Sequence, residues 1–177
     1  MLRIFKIILA ALGAALIAWI FYAAITYKLD KLKAADVAGR SPVTAELREY
    51  QLECLARNIY YEAGNEPFEG KVAVAQVTLN RAESGQFPND ICKVIYQKNV
   101  VYNKVICQFS WYCESPAKLK PRNREVYQDS MVAAKKVLLE GFRLPSLESA
   151  LYYHADYVNP KWGKQQVAKI GRHIFYK

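Results

Sequence analysis

The stretch IYYEAGNEPFEGKVAVAQVTLNRAESGQFPNDICKVIYQ, Ile59 to Gln97, carries the residues on which the fold turns. Leu47, Cys54, Leu55 and Ile59 recur at helical spacing into it, and Gly64 stands as a C-terminal stop, so a helix ends there. Glu62 lies three residues after Ile59 and seven after Leu55, which puts its carboxylate on the apolar face of the last turn. A carboxylate in that place is either paired, or sits at a cleft edge where desolvation raises its pKa and keeps it protonated near neutral pH. Asn65-Glu66-Pro67-Phe68-Glu69-Gly70 then interrupts the pattern, with Pro67 at a first helical position. Val72, Ala73, Val74, Ala75, Val77 and Leu79 leave no polar face through the next turns. Their β-branched content suits a buried strand as well as a central helix, and the Gly and Pro before them with Asn80-Arg81 after them favour the helix.

Downstream, Gly85 to Asn89 reads as a turn and Asp90 as the cap of a short helix through Val94 and Ile95. From Lys98 to Pro121 the sequence is irregular and rich in aromatic and polar residues. Gln108, Phe109, Ser110, Trp111 and Tyr112 lie there between Cys107 and Cys113. If stapled, that segment offers rings beside amide and hydroxyl groups, as sugar stacking requires; equally, its rings could simply pack. An amphipathic helix is expected from Arg122 to Glu140, with Val126, Ser130, Ala133, Ala134, Val137 and Leu138 on one face and Gly141 ending it. The tail holds two short β-prone runs, around Tyr152-Tyr153 and in IGRHIFYK, separated by turn signals. His154 and His173 could hold a cleft together, though a lone His in an aromatic strand is more often a hydrogen-bonded core residue.

Upstream, Ile7 to Tyr27 is a run of 21 residues without a charge, preceded by Arg3 and Lys6. It exceeds the apolar core of a cleavable signal peptide and predicts an uncleaved signal anchor, a transmembrane helix over residues 1–27. Ala, Gly and Thr occupy nine of the 21 positions, so its hydrophobicity is only moderate. Residues 28–43 read as a charged stub and linker, and 44–177 as the folded domain. Cys54, Cys92, Cys107 and Cys113 suit one or two disulfides in an oxidising compartment, with three full pairings open. Without Arg3 and Lys6 the chain still carries 23 basic against 16 acidic residues, +7, a surface suited to anionic wall polymer, anionic lipid or nucleic acid. The predicted export disfavours nucleic acid. With 53% hydrophobic residues the composition excludes a disordered tail protein, and two His without a CxxC pair argue against a zinc finger or ribbon.

From Ile59 to Gln97 the chain resembles the SleB-type, spore-cortex-lytic, cell wall hydrolase family. The resemblance rests on the acidic pair Glu62 and Glu66, on Pro67, Gly70 and Ala73 to Ala75, and on Leu79-Asn80-Arg81. It continues through Phe87-Pro88, CQFSW from Cys107 to Trp111, YYHADYVNPKW from Tyr152 to Trp162, and IGRHIFY from Ile170 to Tyr176. One departure is Ala63-Gly64-Asn65 after the first glutamate, where many members carry Ala-Arg-Gly.

The resemblance implies a mainly α (α+β), lysozyme-like domain with a small β element, cleaving peptidoglycan between N-acetylmuramic acid and N-acetylglucosamine. It assigns the catalytic glutamate to Glu62. As a lytic transglycosylase the domain needs that single acid/base. As a hydrolytic muramidase it needs a second carboxylate, with Glu66, Glu69 and Glu114 as candidates. Gln108, Ser110 and Trp111 would line the saccharide groove, with Tyr152 and Tyr153 in addition. No cofactor or metal is expected; peptidoglycan is the partner, with a membrane through the N-terminal helix and the domain on the extracytoplasmic side. The rival from another class is a non-catalytic, membrane-anchored wall-binding module. A bacterial wall-remodelling enzyme and a phage endolysin would read alike.

Overall fold

A computed structural model describes residues 2–39, 42–114 and 120–177, with the side chains of much of 2–14 and all of 32–44 outside that description. The chain divides into two compact units, Met1–Glu46 and Leu47–Lys177. The first contains the helix α1 (Leu2–Gly39) and the first residues of the next helix. Its large apolar side chains from Leu12 to Leu29, including Ile17, Trp19 and Phe21, are exposed. The expected transmembrane helix finds no support here: among the described residues, no helix is long and apolar enough to cross a membrane. Part of that stretch lies outside the described side chains.

The second unit is mainly helical, with two small antiparallel sheets. Helix α2 (Pro42–Ala63) ends where the periodicity placed it, with Leu52, Leu55, Ala56, Ile59 and Ala63 buried on one face. Leu47, expected on that face, is 50% exposed. Gly64 follows its last residue at a close approach that admits no side chain: a Cβ there would collide with the Tyr60 carbonyl oxygen. Pro67 takes the capping position, one residue before the expected first helical one, and accepts from the Lys71 N–H.

Helix α3 (Phe68–Glu83) is the central element, buried from Gly70 to Leu79. Each fully buried valine at 72, 74 and 77 contributes roughly 1.5–3 kcal/mol. Its interior polar residues clasp the chain between the last helix and the C-terminal sheet. Gln76 exchanges two bonds with the backbone of Leu144 (3.1 and 2.7 Å), Asn80 donates to the carbonyls of Leu147 and Ala150, and Arg81 Nε donates to Leu151 O at 2.7 Å.

Asp90 caps α4 (Ile91–Ile95), accepting from Lys93 N at 2.9 Å. The disulfide Cys54–Cys92 and a 3.0 Å bond from Gln51 to Asp90 hold this helix to α2. Much of the stretch expected to be irregular is a hairpin, β1 (Lys98–Val101) with β2 (Lys104–Cys107). Its two-residue turn uses Tyr102 and Asn103, both at positive φ (50° and 61°), the geometry that fits the right-handed strand twist. Helix α5 (Ser110–Glu114) follows, stapled by Cys107–Cys113.

Helix α6 (Arg124–Leu138) lies inside the expected bounds, capped by Asn123, which accepts from Val126 N. The Tyr60 hydroxyl accepts from the N–H groups of Arg122 and Asn123, fixing its start against α2. Gly141 sits at φ 69° beyond its end. The tail contains three strands where two runs are expected: β3 (Tyr152–Ala155), β4 (Gln166–Ile170) and β5 (His173–Tyr176), ordered β3-β5-β4. Strand β4 escapes the period-2 reading because its pairing with β5 is irregular between Gln166 and Ala168.

Candidate active site

Glu62 lies at the meeting of two cavities, one of about 430 Å³ and one of about 270 Å³, and lines both. Its place is set from below by Asn58, one helical turn earlier and fully buried. Asn58 Nδ2 donates to Thr78 Oγ1 on α3 (3.3 Å), and Trp111 Nε1 on α5 donates to Asn58 Oδ1 (3.0 Å). Three helices are thereby pinned beneath the carboxylate by a buried polar network that uses both Nδ2 and Oδ1 of Asn58.

From the opposite side, the Tyr153 hydroxyl on β3 donates to Glu62 Oε2 at 3.1 Å. Burial pushes the Glu62 carboxyl above the ordinary carboxylate range; the Tyr153 bond and the Arg81 charge pull it back, and the Glu114 charge adds to the rise. The Tyr153 phenol is itself driven well above its usual range by burial and by Glu62, so it keeps its proton. Desolvation of this kind favours the protonated, proton-donating form of the carboxyl. Tyr153→Phe removes a donor that favours the carboxylate. The alkaline limb of the pH–rate profile should then move upward, with turnover falling about tenfold, and a limb unchanged within error would refute the assignment.

Of the residues expected to line a saccharide groove, Gln108, Ser110, Tyr152 and Tyr153 surround the smaller cavity with Glu62. Trp111 does not. It is 6% exposed, stacked on Tyr61 at 4.6 Å, and committed to Asn58, so it is a core residue beneath the site. Trp111→Phe should lower stability by about 1–3 kcal/mol, through the orphaned Asn58 acceptor, and leave KM for wall polymer unchanged. Thermal melts and initial rates on one preparation check both statements.

The three further carboxylates separate. Glu69 is exposed and lines neither cavity, and Glu114 is exposed with its charge felt at Glu62. Glu66 lines the larger cavity with Glu62, but its Oε2 accepts from Arg172 N at 2.9 Å in the β4–β5 turn. A Cβ on Gly171, at φ 56°, would collide with that oxygen, and one on Gly70 would come within 2.9 Å of Glu66 Cβ. Two glycines thus cradle Glu66, tying the α2–α3 connection to the sheet.

Sequence reading missed two contributors, Arg81 and Trp162, and left His173 open between cleft and core. Arg81 is 5% exposed, lines the smaller cavity, and faces the rings of Phe87, Phe109 and Tyr153 at 5.3, 5.3 and 5.9 Å. A charged residue in the last turn of a helix reads as a partner of the helix dipole, which hides such a role. Trp162 walls the same cavity, packed edge-on to His154 at 5.5 Å. His173, 7% exposed and edge-on to Tyr153 at 5.2 Å, lines the larger one, and burial lowers its pKa. His154 is bonded to Tyr176 Oη and Ala155 O. Among the described residues no group of His, Cys, Asp and Glu could hold a metal ion.

The profile of the family described as Cell Wall Hydrolase matches residues 65–176. The Spore cortex-lytic enzyme of Bacillus subtilis is 31% identical over 128 residues, 70% of this chain and 36% of that protein. Its namesake from Bacillus cereus is 31% identical over 130 residues, 71% of this chain and 44% of that protein. The chain therefore spans less than half the length of these curated relatives. Two solved structures superpose on it. The catalytic domain of the Bacillus cereus SleB protein has a TM-score of 0.55 at 29% identity, over 73% of this chain and 91% of that one. The catalytic domain of the germination-specific lytic transglycosylase SleB from Bacillus anthracis has a TM-score of 0.54 at 31% identity, over 72% and 93%. With the profile running from Asn65, three residues after Glu62, to the last strand, the chain belongs to the SleB-type cell wall hydrolase family.

Proposed function

We propose that this protein cleaves the glycan strands of peptidoglycan between N-acetylmuramic acid and N-acetylglucosamine as a lytic transglycosylase, with Glu62 as the one acid/base. The observation that carries the reading is a buried carboxyl, held by the Tyr153 hydroxyl, at the junction of two cavities. Its likeness to a domain named as a lytic transglycosylase points the same way.

In this mechanism protonated Glu62 gives its proton to the glycosidic oxygen as the bond from that oxygen to the muramoyl anomeric carbon breaks. The muramoyl 6-hydroxyl closes on the cationic carbon, and its proton passes to the Glu62 carboxylate. A 1,6-anhydro ring forms, no water is consumed, and Glu62 returns to its starting state. The cycle asks nothing of a second carboxylate. That agrees with Glu66 being engaged by the Arg172 N–H and with Glu69 lying away from both cavities.

Two disulfides support a site of action outside the cytoplasm. Membrane attachment through α1 belongs to the same proposal, supported by the charge-free run from Ile7 to Tyr27 and by the exposed apolar side chains after Leu12. Recovery in the membrane pellet after alkaline carbonate washing is expected, and full release into the wash would remove that part.

Purified, dye-labelled peptidoglycan incubated with the full chain separates enzyme from binding module. Release of soluble dye with falling turbidity is expected. Sedimentation of the protein with intact wall, without release, would replace the enzyme by a wall-binding module.

A further inference from the structure

Resting on the function proposed above, a strand crossing Glu62 passes from one cavity to the other, and the two differ in charge. Among the described residues Glu62 is the one carboxyl lining the smaller cavity, and Arg81 lines it too. Arg81 Nε is bonded to Leu151 O, while its buried Nη1 has no hydrogen-bond partner among the described residues. A desolvated guanidinium left short of acceptors is costly, and such a group in a cleft marks a place where acceptor chemistry is received. A second cation, Lys164, is not itself part of the cavity wall, but its Nζ lies 3.5 Å from the centre of the ring of Tyr152, which is. Trp162 is 45% exposed there and offers an indole face beside the Gln108 amide and the Ser110 hydroxyl. Across Glu62, the larger cavity carries Glu66 and Arg172, whose charges offset each other.

The two sugars of the strand differ in one substituent. N-acetylmuramic acid carries a 3-O-lactyl group, which ends in a carboxylate when bare and in an amide carbonyl when a peptide is attached. Both are acceptors, and at that position N-acetylglucosamine has only a hydroxyl. We propose that the Arg81 side of the groove takes the N-acetylmuramoyl unit, its lactyl group turned toward Arg81 and Lys164, and the Glu66 side takes N-acetylglucosamine. Charge thereby fixes the direction in which the strand lies. It also places the muramoyl anomeric carbon and its 6-hydroxyl on the Tyr152 and Trp162 side of Glu62.

The test uses the full chain carrying Glu62→Gln, so that no strand is cut, and calorimetric titration with two glycan tetrasaccharides. One has bare lactyl carboxylates; in the other these are converted to methylamides. Adding Lys164→Gln should weaken binding of the bare carboxylate form about 3- to 10-fold while changing the methylamide form less than twofold. The same pair of titrations with Arg172→Gln in place of Lys164→Gln should leave the ratio of the two affinities unchanged. Arg81→Lys, which keeps the charge and loses the fork, should weaken both forms, with a melting curve confirming the fold. A ratio that follows Arg172 in place of Lys164, or that follows neither, overturns the assignment. Binding is read in a variant that cannot cut, so loss of the polarity stays distinct from loss of the enzymatic reading, which dye release by the unsubstituted chain reports.

Discussion

Glu62→Gln is expected to lower turnover on peptidoglycan about 10³-fold or more while leaving the fold and strand binding intact. The amide keeps the size of the side chain and can still meet the Tyr153 hydroxyl, but it has no proton to give to a leaving oxygen. The same substitution should stabilise the domain at neutral pH. Burial raises the folded-state pKa of Glu62 above its unfolded value. Below both values the carboxyl is protonated in either state and costs nothing. As pH climbs from the unfolded toward the folded value, the unfolded chain releases its proton first and stability falls, remaining lower above that window. Gln at 62 removes the penalty. Melting temperatures should therefore coincide in acid and diverge in favour of the variant as pH rises. A variant less stable at every pH would mean that the carboxylate is structural.

Loss of the Cys54–Cys92 disulfide is expected to have the largest effect on stability. It closes 38 residues and joins α2, which carries Glu62, to α4. On the chain-entropy account, a loop of that length is worth about 4 kcal/mol, against about 2 kcal/mol for the six-residue closure at Cys107–Cys113. Replacing Cys54 and Cys92 together by Ala should lower the melting temperature by about 10–20 °C. Replacing Cys107 and Cys113 should cost roughly half as much, and should act more on activity, because that staple carries Gln108 and Ser110 at the smaller cavity. Equal thermal effects from the two double variants would contradict this ranking.

The elements whose boundaries are locally encoded were legible in the sequence. Asp90 before an apolar turn reads as a helix cap, the Gly and Pro before the apolar run favour helix over strand at α3, and a glutamate seven residues after Leu55 falls on the apolar face of α2; the structure has all three. Elements that depend on partners distant in the chain were not. A Tyr-Asn hairpin turn lacks the Asn-Gly signal, so β1 and β2 passed for irregular chain. Strand β4 exists because β5 pairs with it across the Gly171 turn. Trp111 illustrates the same limit at the site. An aromatic residue in a polar, stapled segment suits a sugar platform or a core equally, and only its bond to Asn58, 53 residues away, decides for the core. Arg81 was hidden the other way round, because nothing local places three rings and a carboxyl around a cation at the end of a helix.

If Glu62 alone supplies both proton transfers, the muropeptides that the full chain releases from purified peptidoglycan carry the mark of it in their mass. The single-acid cycle predicts products lighter by one water, ending in 1,6-anhydromuramic acid, and their disappearance with Glu62→Gln. Products ending in reducing muramic acid would contradict it and require a second carboxylate, with Glu66, in the same cavity as Glu62, the first to replace.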